Sequence, residues 1–466
     1  MLVTHLPGFD SALPSKHYAV YITVDESNGR RLFYYLVLSE RDPAFDPVVL
    51  WLNGAPAAPA STDSSTRTVP STLSAEAPPE GCPSCSSIPI TLYMMYLDSP
   101  AGIGMSYSLN KSDYTTGDLK TASDAHTFLL KWFELYPEFQ LNPFYISGES
   151  YAGIYIPTLA DEVVKGTTEG SEAKNQFEGV AVASEPPPVG RPGTARLIIM
   201  PWRAVAGQAR LPGRAGQFGQ RDLNSFVPFA LGMGLISTDL FEDVSAACHG
   251  TFWGKVNDVC QENIDRVRWE LKDLNTYNIL APCYHHPEVQ EIAFVNSSLP
   301  SSFRKLGETE RPFPLGGRSL PCTSDELATI WLDDEDVRGA IHAKPKSLIG
   351  SWELNTTRID YTHDTGSMVD YQKKFTAMGY RVLIYSGDHD LCIPFTGTEA
   401  WVRSLGYRVV DSWQPWHFGG QVAGYTQGYD HNLTFLTIKG SGHTVPEYKP
   451  KESLAFYAHW LFGQKI

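Results

Sequence analysis

At 466 residues with 42% hydrophobic side chains, the chain can build one large core with an inserted subdomain, or two ordinary domains. A formal net charge of −15 excludes a nucleic-acid partner, which needs a positive surface, and no apolar run of about 18 residues offers a membrane span. The opening Met1-Leu-Val-Thr-His-Leu-Pro-Gly has neither the basic nor the apolar stretch of a signal peptide.

Three β patterns come first, at 18–24, 31–38 and 48–53, whose β-branched and aromatic runs predict a meander feeding a buried strand. Residues 55–90 change character, to Ala, Pro, Ser and Thr with almost no aromatics. A strand returns at 93–98, followed by an amphipathic helix near 117–134 with Leu119, Ala122, Ala125, Leu129 and Trp132 on one side. Next come a strand at 144–147 and a helix through Ile156, Leu159, Ala160 and Val163. Residues 183–222, rich in Pro, Gly, Arg and Ala, are a second anomaly, and 223–315 read as mainly helical, suited to an inserted cap. After Cys322 strands and helices alternate again: strands at 381–385 and 433–438, then a closing helix over 453–462. This rhythm predicts an α/β class with a mostly parallel central sheet. The expected division is a core of 1–182 plus 323–466, an anomalous insert of 183–222, and a cap and linker of 223–322.

Seven cysteines, an odd number, leave at least one thiol free. Cys82 and Cys85 form a lone Cys-x-x-Cys unit, too little for a zinc site, while Cys248 and Cys260 are spaced to close a short disulfide loop. Glycosylation sequons begin at Asn110, Asn296, Asn355 and Asn432.

The chemistry concentrates in three places. Gly148-Glu149-Ser150-Tyr151-Ala152-Gly153 stands between a strand and a helix, where a sharp turn holds the serine hydroxyl clear of the sheet. A serine needs a base to take its proton and an acid to orient that base, in the chain order Ser, acid, His. Ser386-Gly-Asp388-His389-Asp390 and Gly440-Ser-Gly442-His443 follow late strands and supply both. Ser150 and His443 are thus the candidate nucleophile and base of an α/β-hydrolase fold.

These motifs, with Trp51-Leu-Asn-Gly, Tyr96-Leu-Asp-Ser-Pro-Ala-Gly and Gly442-His-Thr-Val-Pro, closely resemble those of the plant serine carboxypeptidase-like family. Leu6-Pro-Gly-Phe-Asp, Ser412-Trp-Gln-Pro-Trp and Glu447-Tyr-Lys-Pro look most like the cereal carboxypeptidase I group. The resemblance implies removal of C-terminal residues from peptides or proteins at acidic pH, in a secreted or vacuolar setting, without metal or cofactor. It also admits a homodimer. It makes Asp390 the catalytic acid and Asp388 structural, pairs Cys283 with Cys322, and leaves Cys392 as a free thiol near the site. Asn53, Gly54 and Glu149 would hold the substrate carboxylate. Two carboxyl groups in contact share a proton, so that binding would weaken as pH rises. An acyltransferase or hydroxynitrile lyase on the same scaffold is the alternative, although the acyltransferases carry Asp and Ser where Glu149 and Ala152 stand. An inactive, degenerate product is a further one.

Departures from the family pattern bear on the oxyanion hole. Tyr151 supplies one backbone N–H; the other falls to Ala55, where the family has glycine. The family's Gly-Pro-Gly-Cys-Ser-Ser-Phe-Asp, encoded as GGC CCC GGC TGC TCC AGC TTC GAC and read one base on, gives the Ala55-Pro-Ala-Ala-Pro-Ala-Ser-Thr found here. Residues 55 to about 90 are therefore read as a shifted frame.

Overall fold

The structure, a computed structural model, describes residues 1–9, 12–41, 46–53, 92–168, 197–201, 217–252, 256–283, 322, 326–353, 356, 358–365 and 367–466. Ala55, Gly54, Cys82, Cys85, Asn296 and Asn355 lie outside these residues, as does most of 183–222.

The sheet is built from β1 (Leu2–Val3), β2 (His17–Asp25), β3 (Arg30–Val37), β4 (Val48–Leu52), β5 (Tyr93–Leu97), β7 (Phe144–Gly148), β8 (Leu197–Pro201), β10 (Arg381–Gly387), β11 (Val409–Phe418), β12 (Gln421–Tyr429) and β13 (Leu433–Ile438). Their order across it is β1-β2-β3-β5-β4-β7-β8-β10-β13-β12-β11. The strands from β5 to β13 in that order run parallel, and antiparallel strands flank them on both sides. A two-stranded parallel pair, β6 (Thr115–Gly117) and β9 (Asp360–Thr362), stands apart.

Alternating side chains of the central strands enter different cores, as a strand buried on both faces requires. Val48, Leu50 and Leu52 pack with α1 (Asp118–Leu135) and α2 (Ala152–Thr168), while Val49 faces the cluster containing Phe456 and Trp460 of α12 (Pro450–Leu461). Val382 and Ile384 meet Trp401 and Val402 of α10 (Phe395–Ser404), and Leu383 and Tyr385 join Val49 on the opposite side.

Three helices, α3 (Gln217–Gly232), α4 (Thr238–Cys248) and α5 (Asp258–Glu270), pack around Val227, Val244, Ile264 and Val267. The Cys248–Cys260 disulfide joins α4 to α5, and Cys283 pairs with Cys322. Shorter helices follow, α6 (Glu326–Asp333), α7 (Glu335–Ala340), α8 (Lys346–Ile349), α9 (Met368–Ala377) and later α11 (Val445–Tyr448). Among the described residues, no helix is long and apolar enough to cross a membrane.

Three readings need adjustment. Leu119 is half exposed; the buried face of α1 runs through Thr121, Ala122, Ala125, Phe128, Leu129 and Trp132. At 100° per residue Leu119 instead shares a side with exposed Ser123. The anomalous stretch 183–222 contributes β8 between β7 and β10, and α3 begins before its end. Finally, β11 and β12 form a long hairpin unread in the sequence, turned by Gly419 and Gly420, both at positive φ as a two-residue hairpin turn requires.

Candidate active site

The site sits at the C-terminal ends of the parallel strands, where loops from β4, β7, β10 and β13 meet. Ser150 follows β7 at φ 61°, in the left-handed region. That strain is imposed by crowding: a Cβ at Gly148 would stand 2.0 Å from the Leu52 carbonyl oxygen and 2.8 Å from Ala152 Cβ. A small residue at each position lets the chain reverse into α2, whose N-terminal dipole faces the serine.

Gly387 ends β10 against the loop after β13, where its Cβ would meet the carbonyl oxygens of Gly442 and Ser441 at 2.1 and 2.4 Å. Asp388 locks these loops together: its N–H donates to Ile438 O at 3.1 Å and its Oδ1 accepts from Gly440 N at 2.7 Å. The sequence-predicted residues then converge. His443 Nε2 lies 3.0 Å from Ser150 Oγ, and His443 Nδ1 lies 2.7 Å from Asp390 Oδ2, with all three side chains buried. Burial pushes the Asp390 carboxyl above its ordinary range; His443 and the backbone N–H groups of Ile393 and Cys392 oppose that shift by favouring the anion. Ile393 N donates to Asp390 Oδ1 at 3.0 Å. Cys392 is a half-buried cysteine outside any disulfide in this neighbourhood; its sulfur, a carboxylate oxygen of Asp390 and a ring nitrogen of His443 lie within 4.8 Å of one another.

Asn53 and Glu149 reach the site from adjacent strands. Leu52 pairs in register with Gly148, so the next residue of each chain emerges at the same level. Glu149 is buried, and its N–H donates to Leu52 O at 3.2 Å. Trp51 Nε1 donates to Asn53 Oδ1 at 2.5 Å, which fixes the carboxamide oxygen and distinguishes it from the NH2.

Two supports were not read in the sequence. Tyr151 is anchored by buried Asp118, whose Oδ1 accepts from the Tyr151 hydroxyl at 2.6 Å and from Tyr361 at 2.9 Å. The segment Asn275–Ile279 lies across the loops bearing Asp390 and His443, with the Tyr277 ring edge-on to His443 at 5.1 Å. Neither has a local sequence signal, because each joins residues far apart in the chain.

A model of the family described as serine carboxypeptidase matches residues 7–184 and 218–463, passing over 185–217. The chain belongs to the serine carboxypeptidase family. It is similar to Serine carboxypeptidase 1 of Hordeum vulgare, with 49% identity covering 100% of this chain and 93% of that one. Serine carboxypeptidase-like 20 of Arabidopsis thaliana is 46% identical with the same coverage. A crystal structure of Kex1, a prohormone-processing carboxypeptidase from Saccharomyces cerevisiae, aligns with a TM-score of 0.67 at 16% identity, over 99% of this chain and 95% of that chain. At that identity the likeness speaks for the shared α/β-hydrolase fold. The resemblance to plant carboxypeptidases read from Ser150, Asp390, His443 and their flanking residues is thereby borne out at family level.

Proposed function

We propose that this serine-type carboxypeptidase releases C-terminal residues from peptides through an acyl-enzyme on Ser150. His443 takes the Oγ proton as Oγ bonds to the scissile carbonyl carbon, then gives it to the departing amine as the C–N bond breaks. Water, deprotonated by the same imidazole, hydrolyses the ester and restores the serine. Asp390 holds the ring in its productive tautomer and stabilises the imidazolium. The Tyr151 N–H, at the head of α2, is assigned to the oxyanion, with Ala55 as second donor.

The observation that carries the exopeptidase reading is the placement of Asn53 beside Glu149 at one strand-end level, next to Ser150. A triad alone would serve any ester or amide. A buried carboxyl group beside a carboxamide instead suits a ligand bearing a free carboxylate, with Gly54 supplying a further donor. A proton shared between Glu149 and that carboxylate makes binding strongest in mild acid.

We also assign 223–322 to a cap over the core, and a secreted or vacuolar setting, which suits paired cysteines. Asn432 is exposed, its Nδ2 donating weakly to Gly379 O at 3.3 Å, whereas Asn110 is half-buried, with its Nδ2 donating to Asn28 Oδ1 at 2.7 Å, so Asn432 is the better glycosylation acceptor of the two. The test is release of the terminal amino acid from an N-blocked dipeptide in mildly acidic buffer, compared with the same dipeptide amidated at its C-terminus. Cleavage of the free acid with little cleavage of the amide is expected. Equal cleavage of both refutes the carboxylate site, and no release with acyl transfer from a glucose ester points to an acyltransferase.

A further inference from the structure

We propose that Asn275 is a positioning residue for the triad, acting through a short strap that ties the acid loop to the base loop. This inference rests on the triad roles proposed above.

The strap's backbone is bonded to both loops. Thr276 O accepts from Leu391 N at 3.0 Å and from Cys392 N at 2.9 Å, just beyond Asp390. Tyr277 O accepts from His443 N at 2.6 Å, and Ile279 N donates to His389 O at 3.1 Å. Consecutive carbonyls thus grip the two segments whose side chains must stay 2.7 Å apart. The fit is tight, since a Cβ at Gly442 would stand 2.2 Å from Tyr277 O and 2.8 Å from Asn278 Cα. A glycine before His443 is therefore required by the strap.

Asn275 shapes the strap itself. Its Oδ1 accepts from the N–H groups of Tyr277 at 3.1 Å and Asn278 at 3.3 Å, an Asx turn that aims the Thr276 and Tyr277 carbonyls. Its Nδ2 donates to Pro282 O at 3.3 Å, next to disulfide-bonded Cys283. The residue is 8% exposed, so little water is at hand to replace these bonds. Its described hydrogen bonds go to the strap and not to the triad, so its effect passes through the strap: the Thr276 and Tyr277 carbonyls, the Ile279 N–H and the Tyr277 ring.

The test compares Asn275→Ala with Asn275→Asp in the full chain, because Asp retains the turn-forming acceptor. Displacing a catalytic group by about 1 Å costs on the order of 100-fold. Asn275→Ala is therefore expected to lower kcat by about tenfold to a hundredfold with KM little changed, and Asn275→Asp to restore most of it. Loosening His443 from the Asp390 anion also lowers the imidazole's affinity for a proton, so the acid limb of the pH–kcat/KM profile moves to lower pH. The far-downfield proton resonance of the His443–Asp390 hydrogen bond should weaken in the Ala variant, and it reads that bond without any peptide being cleaved. Loss of this resonance in Asn275→Ala, even in a chain that releases no C-terminal residue, upholds the strap while overturning the carboxypeptidase reading. An unchanged resonance and acid limb, with any lost activity matched by a lowered melting temperature, overturns the strap.

Discussion

Gly387→Ala tests whether backbone contact between the loops sets the triad distance. A Cβ at this position would stand 2.1 Å from Gly442 O, where ordinary contact begins near 3.4 Å. The atoms it would meet are backbone of Ser441 and Gly442, which cannot swing aside as a side-chain tip would, so the His443 loop must retreat by roughly 1 Å. To the extent that this retreat is directed away from Ser150, it stretches the 3.0 Å between His443 Nε2 and Ser150 Oγ towards about 4 Å, beyond hydrogen-bond reach. A displacement of that size costs about 100-fold in turnover. The assay is hydrolysis of a blocked dipeptide, alongside fluorophosphonate labelling of Ser150 and a thermal melt to confirm folding. Gly339→Ala, within α7 and with nothing inside 4 Å of its Cβ, is the control and should keep full activity. A folded Gly387→Ala protein retaining activity within about threefold of the parent would refute the reasoning.

Asp390→Asn is expected to lower kcat by about 10⁴-fold through loss of the tautomer-holding anion, whereas Asp388→Asn, which disturbs the ties to Gly440 and His389 but no triad bond, should cost far less; steady-state kinetics on both variants check the contrast. Glu149→Gln should raise KM in acid and flatten its rise towards neutrality, because the amide donates at every pH; KM measured across that range decides. Asp98 is buried and pushed up to about 7, mainly by desolvation, against the Met105 N–H at 2.8 Å that favours its anion. The folded state therefore binds the proton more tightly than the unfolded chain, and stability falls as pH rises from about 4 to about 7, by up to about 4 kcal/mol. Asp98→Asn should remove that slope in chemical denaturation, and an unaltered slope would show that other groups cause it.

The parts of the site legible in the sequence are those encoded locally. Gly148 to Gly153, Asp390 and His443 sit at the ends of β7, β10 and β13, and strands buried on both faces announce themselves as apolar runs. Leu119 was misplaced because one helical turn near an end does not fix which side faces the core. The β11–β12 hairpin escaped because exposed Val409, Val410 and Trp413 break the expected alternation, although its Gly-Gly turn was a usable signal. Asn275 and Tyr277 were illegible for a different reason: their meaning lies in contacts with Leu391 and His443, which only the folded chain brings near.

The parallel pairing of β4 with β5 makes the chain between them a replaceable part. The chain leaves the sheet at Leu52 and re-enters beside it at Tyr93, with Val48 to Leu52 in register with Tyr93 to Leu97. Any joining segment need only travel back the length of a five-residue strand, about 17 Å. Strand pairing therefore places no demand on which residues fill that passage, although Ala55 is assigned to the oxyanion there.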